Sequence, residues 1–443
     1  MVKGIMAKLK KGSGQKLWAQ AKKIIPGGNM FFSKNSEVYL PDLWPSYFKS
    51  AKGCRVRDLD NNSYIDMTMS IGTNILGYSN PYVNKAVIKT IKESTMSTFN
   101  APEEVELAKK LLKIHKWAGG VKFARTGGEA NALSLRVARS FSKKSNIAFC
   151  GYHGWHDWYL SANLNKKNNL DEHLLKGLSS IGVPKELKNT VFPFQYGNYE
   201  QILNIIKKKN IGIIKMEVTR NLTADVKFLK FIRKECSNRN IILIFDECTS
   251  GFRQNFGGIH KIYNIIPDLA VFGKSLGNGF AITAVIGKKK IMSSSENSFI
   301  SSTFWSERVG YVAALETLKQ MDKIKSWDKI SKLGLYFRKK LKLIAKKNNL
   351  DVEIKGLLAI PVFSIKNDNK NIYKTFITQE MLKSGFIINN SVYISICHNK
   401  KIFNKFFKVL DKIFKLIKKY KTINDLKKQL EASSSKSGFG RLN

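Results

Sequence analysis

Short apolar runs alternate with helical patterns through the middle of the chain, between about residues 76 and 320. Continuous apolar strands are buried on both faces, and helices between them indicate a mainly parallel sheet that is covered on both sides. In such sheets ligands bind beyond the carboxyl ends of the strands. The pattern therefore predicts an α/β fold with its chemistry where the runs end, at 121–124, 146–152, 211–217, 241–246, 269–273 and 282–287.

The two ends of the chain carry other patterns. The N-terminal part contains a Lys-rich helical stretch and a hairpin-like run at 54–67. The C-terminal part ends in a Lys-rich amphipathic pattern at 401–421, whose apolar face is more typical of docking on protein than of membrane binding. We predict an N-terminal segment that packs with the small domain (1–75), a large domain (76–320), a C-terminal small domain (321–430) and a disordered tail rich in Ser and Gly (431–443).

The chain is strongly basic, with a formal net charge of +43, which raises the question of polyanion binding. Only 12 of its 76 basic residues are arginines, and lysines decorate any solvated surface, whereas arginine is preferred for reading phosphates and bases. We therefore expect neither nucleic acid nor a membrane as a partner. A non-catalytic polyanion-binding protein remains an alternative.

The five cysteines, at positions 54, 150, 236, 248 and 397, show no CxxC spacing. An odd number of scattered cysteines is typical of reduced thiols in a reducing compartment. No apolar stretch reaches the 18 residues that a membrane-spanning helix needs. We predict a cytoplasmic protein.

The first candidate functional segment follows the run at 121–124, where Gly127 and Gly128 precede a helical pattern. Glycines let the backbone approach an anion closely, and the start of a helix offers unpaired N–H groups. This turn is a candidate phosphate site, although a Gly-Gly turn alone is often only structural.

The next run ends in the segment 151–157, where Tyr152 offers an aromatic face for a flat ring. A metal site is a second reading, because His153, His156 and Asp157 lie close together in the sequence. We expect no metal, since nothing nearby completes a common ligand set.

Two charged residues end the following strands. Asp246 follows an apolar run, and a carboxylate buried there requires a cationic partner, unless it caps a helix or lies in a surface loop. Lys274 closes the next run among glycines, a setting that suits a lowered pKa and Schiff-base chemistry. A phosphate-binding P-loop is incomplete there, because its first glycine would fall at Asp268.

The order of these features matters more than any one of them. Pyridoxal phosphate (PLP) needs an anion site for its phosphate, a ring to stack on, an acid for its pyridine nitrogen and an amine for its aldehyde. The glycine turn, the aromatic, the acid and the lysine supply these at successive strand ends. The sequence therefore predicts a PLP enzyme.

From about residue 25 to residue 318, the chain resembles the class III aminotransferases of fold type I, most closely their glutamate-1-semialdehyde aminomutase branch. The resemblance implies a large PLP-binding domain with a mainly parallel seven-stranded sheet covered by helices, and a smaller α+β domain from the N- and C-terminal segments. The matching motifs occur in family order at 126–130, 151–154, 244–247, 251–253, 267–268, 273–274 and 302–304.

By this resemblance, Lys274 forms the Schiff base with PLP and Asp246 pairs with its pyridine nitrogen. Gly127 and Gly128 offer amides to the phosphate, and Tyr152 stacks on the ring.

The resemblance also assigns residues around the cofactor. His153 belongs to the same cofactor-binding stretch, while Glu217 and Asn221 line the cofactor pocket. Thr303 reaches the phosphate in the partner subunit. The family therefore implies a homodimer with shared active sites, an amino-acid donor and a carbonyl acceptor.

The substrate is suggested by departures from the family pattern. Ser33 stands where the aminomutase has a carboxylate-binding arginine, Gly128 replaces a usual Ser or Thr, and Trp-Ser-Glu occupies 305–307. We predict an aminotransferase that acts on a carbonyl-bearing metabolite, such as an acidic sugar of surface-polysaccharide synthesis. A larger pocket lined by tryptophans would suit a sugar, although each could equally be core, and the candidates are Trp155, Trp158 and Trp305. A 2,1-aminomutase is the alternative.

Overall fold

The structure, a computed structural model, describes residues 8–173, 175–219 and 221–436. These residues fall into two compact units. The described residues up to Asn80 and those from Lys329 onward form the first unit, and Pro81–Asp328 supplies the second.

The secondary structure is mixed. The strands are β1 (Phe48–Lys52), β2 (Arg55–Asp58), β3 (Ser63–Asp66), β4 (Gly120–Ala124), β5 (Asn146–Cys150), β6 (Val191–Pro193), β7 (Ile211–Glu217), β8 (Ile242–Asp246), β9 (Leu269–Phe272), β10 (Thr283–Gly287), β11 (Val352–Lys355), β12 (Val362–Ile365) and β13 (Phe386–Ile387). The helices are α1 (Ser13–Ile24), α2 (Ser36–Tyr39), α3 (Met69–Gly72), α4 (Pro81–Glu93), α5 (Pro102–Ile114), α6 (Gly127–Ser142), α7 (Asp157–Leu160), α8 (Ala162–Asn165), α9 (Tyr199–Lys208), α10 (Val226–Asn238), α11 (Lys289–Ser293), α12 (Arg308–Ile324), α13 (Ser326–Lys347), α14 (Lys370–Lys383), α15 (Lys400–Lys419) and α16 (Ile423–Lys427).

A seven-stranded sheet in the order β4-β10-β9-β8-β7-β5-β6 forms the centre of the second unit. β10 runs antiparallel to both its neighbours, and the remaining pairs are parallel. Six of the strands coincide with the six predicted runs, so the predicted α/β fold with a mainly parallel sheet is confirmed. β6 was not predicted, because three residues are too few to show a periodic pattern.

The strands nearest the middle of this sheet are buried along their whole length, as in β8, β9 and β10. Their apolar side chains pack against helices such as α6, in a core that includes Val137, Phe149 and Val271. Burial on both faces explains why these strands read as continuous apolar runs. Because β5, β7, β8 and β9 run parallel to one another, their carboxyl ends meet at one edge of the sheet.

The first unit contains a four-stranded sheet in the order β1-β2-β3-β13. β2 and β3 form an antiparallel hairpin, which confirms the hairpin-like run at 54–67. α15 buries one apolar face, and the ring of its Phe407 lies 4.8 Å from that of Phe337. The amphipathic pattern at 401–421 is thus a docking face within the protein, as predicted.

Residues 431–436, at the start of the predicted disordered tail, make hydrogen bonds to α14. The Glu431 amide donates to Gln379 Oε1 at 2.7 Å, and the amide of the buried Ser435 donates to Thr375 Oγ1 at 2.8 Å. Order extends this far because these tail amides find acceptors on α14. The rest of the predicted tail, 437–443, lies outside the described residues. Within the described part of the chain, no helix is long and apolar enough to cross a bilayer.

Candidate active site

The predicted phosphate turn is the N-terminus of α6. Thr126 is the N-cap, and its hydroxyl accepts a hydrogen bond from the Glu129 amide, while the Glu129 carboxylate accepts one from the Thr126 amide at 2.7 Å. This capping box leaves the amides of Gly127 and Gly128 with no hydrogen-bond acceptor among the described residues. Free amides at a helix N-terminus form an anion-binding site.

The imidazole of His156 lies over Gly128. A Cβ atom on Gly128 would fall 2.7 Å from Cε1 and 2.8 Å from Nδ1 of His156, so a larger residue would displace the ring. Burial lowers the pKa of His156, and its buried Nδ1 has no hydrogen-bond partner in the described parts of the chain. Sequence reasoning considered His156 only as a metal ligand, whereas the structure places its ring beside the phosphate turn.

Asp246 ends β8 as a buried, fully partnered carboxylate. It is 4% exposed; Oδ2 accepts a hydrogen bond from Asn131 Nδ2 at 2.8 Å and Oδ1 accepts one from the Cys248 amide at 3.0 Å. Burial raises the pKa of Asp246, but the hydrogen bond from His153 and the charges of His153 and Lys215 outweigh it, so the pKa lies well below its usual value. The alternatives of a helix cap or a surface loop are therefore wrong for Asp246.

His153 is oriented by two acceptors. Its Nδ1 lies 2.8 Å from Asp246 Oδ2, and its Nε2 lies 3.2 Å from the carbonyl oxygen of Cys150. The ring is buried, so His153 contacts the acid rather than an open pocket. No group of three or more His, Cys, Asp or Glu side chains in the described parts of the chain is arranged to hold a metal ion.

Lys274 follows β9, one strand away from Asp246. Its Nζ donates a hydrogen bond to Thr249 Oγ1 at 2.7 Å, and its backbone φ is +43°, in the left-handed region that only a few non-glycine residues adopt. Strained backbone of this kind clusters at functional sites. Thr249 was not identified from the sequence.

Cys248 connects the glycine turn, the acid and the lysine. Its Sγ would lie 3.5 Å from a Cβ on Gly127 and 3.3 Å from a Cβ on Gly273, the residue before Lys274. The same residue donates its amide to Asp246. The structure therefore brings together the predicted phosphate turn, acid and amine.

Tyr152 and Glu217 meet at the same edge of the sheet. The Tyr152 amide donates to Glu217 Oε2 at 3.2 Å, which holds the loop after β5 against the end of β7. Asn221 is exposed in the loop after β7, and no hydrogen bond connects it to the other predicted residues in the described chain. Thr303 is also exposed, at the start of the 3-10 turn Thr303–Ser306.

The three tryptophans proposed to line a pocket differ in position. Trp158 is buried, and its ring packs edge-on at 6.2 Å from Phe149, so its assignment to a pocket is wrong. Trp155 is exposed beside the glycine turn, and the half-buried Trp305 donates from Nε1 to Glu129 Oε1 at 3.2 Å. Two of the three therefore lie near the start of α6.

These residues fit PLP. Two free amides beside a partnerless ring nitrogen suit a phosphate, and a carboxylate kept ionised inside the protein suits a protonated pyridine nitrogen. The Lys274 amine, at the end of the neighbouring strand, suits the aldehyde. A side chain at Gly128 would displace the His156 ring from its place beside these amides.

Comparison with known proteins identifies the family. The model of the family "Aminotransferase class-III" matches residues 42–405. The chain is 30% identical over 403 residues to the 3-aminobutyryl-CoA aminotransferase of Cloacimonas acidaminovorans, covering 88% of this chain and 92% of that protein. It is 31% identical over 440 residues to the glutamate-1-semialdehyde 2,1-aminomutase of Wigglesworthia glossinidia brevipalpis, covering 93% and 99%.

The fold is also similar to the folds of solved structures. The FumI protein of Sphingopyxis sp. MTA144, solved in a PLP form, superposes with a TM-score of 0.83 at 22% identity, covering 92% of this chain and 97% of that chain. The fold type I architecture and PLP as cofactor, both predicted from the sequence, are confirmed. The chain belongs to the class III aminotransferases and is a PLP-dependent enzyme.

Proposed function

We propose that the chain transfers an amino group from an amino-acid donor to a carbonyl-bearing metabolite, with Lys274 and Asp246 as its catalytic residues. The observation that carries this assignment is the buried Asp246 carboxylate, kept ionised at the end of β8 beside the strand that leads to Lys274. The alternative of a non-catalytic polyanion-binding protein is wrong, because the chain belongs to an enzyme family.

The remaining predicted residues would hold the cofactor. The amides of Gly127 and Gly128 would bind its phosphate, Tyr152 would stack on its ring, and Glu217 and Asn221 would line the pocket. His153 would act by orienting the Asp246 carboxylate.

Bound PLP supplies an aldehyde that condenses with amines and a ring that accepts electrons from the substrate carbon. Asp246 would hold the proton of the pyridine nitrogen and so keep the ring electron-poor. Lys274 would anchor the cofactor through its Nζ, and the same Nζ, when freed by a donor amine, would take the proton from the substrate carbon. The Thr249 hydroxyl accepts a hydrogen bond from the same Nζ and so orients it.

A homodimer with shared sites is part of the proposal. Large aromatic side chains remain exposed on the second unit around α6, and they include Trp155, Phe299 and Phe304. Arg136, on α6, donates to the carbonyl of Phe299 at 2.9 Å, which places the backbone of Phe299 beside the helix. Clustered exposed aromatics are typical of interfaces. Thr303 lies in the same region and would reach the partner's cofactor phosphate.

The acceptor is proposed to be an acidic sugar, since Trp155 and Trp305 lie near the phosphate turn and Ser33 replaces the aminomutase arginine. The similarity to a 3-aminobutyryl-CoA aminotransferase favours a second acceptor class, a carbonyl compound carried as a thioester. The similarity to aminomutases favours a different reaction, in which the amino group stays within one substrate skeleton. The reduced cysteines support a cytoplasmic enzyme.

The test begins with the absorption spectrum of the purified protein before and after addition of L-glutamate. A visible cofactor band that fades with the donor supports amino transfer, and a protein that binds no PLP would overturn the assignment. Keto sugars, 3-oxoacyl thioesters and simple keto acids are then offered to the aminated enzyme. If the enzyme accepted only simple keto acids, an acidic sugar would be excluded as the acceptor. If an isotope-labelled amine stayed within one substrate, the reaction would be that of an aminomutase.

A further inference from the structure

A lysine lies inside the apolar strand β7. Lys215 is 0% exposed, and the residues around it in β7 are almost all apolar and buried. Burying an ammonium is costly unless an opposite charge compensates it. A buried lysine in the middle of the central sheet therefore requires a nearby carboxylate.

The contacts of Lys215 lead to Asp246. Its Nζ donates to Ser134 Oγ at 3.0 Å, and Ser134 is one turn along α6 from Asn131, which donates to Asp246 Oδ2. β7 and β8 are paired in parallel, with Glu217 opposite Asp246 and Lys215 two residues earlier. Lys215 and Asp246 thus project onto one short stretch of one helix.

The electrostatics follow from this placement. Burial lowers the pKa of Lys215 to about 8, while the attraction of Asp246 and Cys248 opposes this. The charges of His153 and Lys215 in turn lower the pKa of Asp246. The buried Asp246 carboxylate therefore already interacts with His153 and Lys215 before a protonated pyridine nitrogen is added.

We propose that Lys215 is a positioning residue that shares the negative charge of Asp246 with the bound cofactor and so lowers the cofactor's proton affinity. This inference rests on the proposed role of Asp246. A second cation near the carboxylate weakens its attraction for the ring proton, because interactions between charges are strong in a buried environment. Lys215 would thereby set the pH range in which the cofactor is protonated, without touching the substrate.

The test is the pH titration of the 15N chemical shift of the pyridine nitrogen in labelled PLP bound to the enzyme, because this signal follows the ring proton. Lys215→Met keeps the length of the side chain and removes its charge, and it is expected to raise the midpoint by about 0.5 to 1 pH unit, at the low end of shifts caused by nearby charges. Lys122→Met makes the same change on β4 of the same sheet and is expected to leave the midpoint unchanged. If Lys215→Met does not fold, Lys215→Gln keeps a polar group for Ser134 and should give the same shift.

The outcomes separate this inference from the proposed function. A wild-type protein without a cofactor band would overturn both. A wild-type protein with a normal band, combined with an unchanged or lowered midpoint in Lys215→Met and Lys215→Gln, would overturn only the role of Lys215. If Lys215 had a purely structural role, Lys215→Met would lower the melting temperature. The midpoint of its titration would then equal that of Lys122→Met.

Discussion

Arg125 donates from Nε to the carbonyl oxygen of Phe304 at 2.6 Å. Its Nη2 also donates to the carbonyls of Trp305, at 3.0 Å, and of Glu307. One guanidinium thus anchors the exposed turn Thr303–Ser306 next to the N-terminus of α6. A residue that serves the active site of a second subunit must be exposed and held in a fixed position. The anchored turn meets both conditions for Thr303.

Hybrid dimers test whether Thr303 serves the partner's site. We expect Lys274→Ala and Thr303→Asp homodimers to be nearly inactive, because the first lacks the amine and the second repels the phosphate. If the site is shared, a hybrid dimer contains one site with both defects and one intact site. Its activity should reach about half that of the wild type, measured on hybrids separated by two affinity tags.

The contrary result is equally clear. If Thr303 serves the site of its own subunit, each site of the hybrid carries one defect and the hybrid stays as inactive as its parents. A monomeric wild-type protein in sedimentation would also contradict the shared site.

Lys274 is expected to be indispensable. Lys274→Ala removes the amine that would hold the cofactor, so we expect the visible band characteristic of a lysine-bound cofactor to disappear and turnover to fall at least about 1000-fold. Lys208→Ala, at an exposed position of α9, serves as the control and should behave as wild type. A Lys274→Ala enzyme that still transaminates at the wild-type rate would contradict the assignment.

The Thr249 hydroxyl is expected to affect turnover more than cofactor binding. Thr249→Val keeps the shape of the side chain but removes the acceptor of the Lys274 hydrogen bond. We expect kcat to fall about 10-fold, within the usual effect of a misplaced proton-transfer group, while the Kd for PLP changes little. Thr317→Val makes the same change at a buried threonine whose hydroxyl has no hydrogen-bond partner among the described residues, and it should be silent. If Thr249→Val and Thr317→Val had the same kinetics, Thr249 would have no role in orienting Lys274.

The charge of Asp246 is expected to matter for both stability and catalysis. Asp246→Asn keeps the size of the side chain but leaves His153 and Lys215 without their shared counter-charge, which costs about 3 kcal/mol in comparable buried pairs. Turnover should fall about 100-fold, because the ring proton loses its acceptor. Melting temperature and kcat measure the two effects.

Asp268→Asn separates the two effects. Asp268 directly precedes β9, at the opposite end of that strand from Lys274. Its carboxylate forms ion pairs with Arg233 at 2.9 Å and Lys288 at 2.7 Å. We expect Asp268→Asn to lower the melting temperature and to leave kcat close to wild type. If Asp246→Asn behaved in the same way, Asp246 would be a structural acid.

The central sheet was predictable because burial on both faces leaves a local signature. Every residue of β8 is buried, so the run at 241–246 is apolar up to Asp246. The signature fails where an element is short, as in β6, or where a charge is compensated through tertiary contacts. Lys215 is such a case, since its compensation comes from α6 and β8 rather than from its neighbours in sequence.

The candidate site was predictable only in part, for the same reason. Gly128, Asp246 and Lys274 stand at strand ends, where order along the chain already implies proximity. Asn131 and Thr249 act through hydrogen bonds to residues 115 and 25 positions away. A sequence signal existed for Asn131, because it is a polar residue on the buried face of an amphipathic helix.

His115 gives a prediction about acid sensitivity. Burial, followed by the charge of His260, lowers the pKa of His115 to about 3, and its ring is fixed between the Leu111 carbonyl and the Gly258 amide. A histidine whose folded-state pKa lies below its unfolded value of 6.5 binds a proton only in the unfolded chain between these two values. Stability from His115 is therefore complete above pH 6.5 and falls by about 1.4 kcal/mol per unit as the pH drops toward 3.

His115→Gln removes this titration while keeping a polar side chain. We expect the variant to be less stable than wild type at pH 7, because one buried hydrogen bond is lost, but to lose less stability between pH 6.5 and 4.5. Trp117→Phe, which alters a ring packed edge-on at 6.3 Å from His115, should lower stability by a similar amount at both pH values. The measurement is the unfolding midpoint across this range. Parallel pH profiles for all three proteins would mean that His115 is protonated in the folded state, which would require its Nε2 to donate rather than to accept from Gly258.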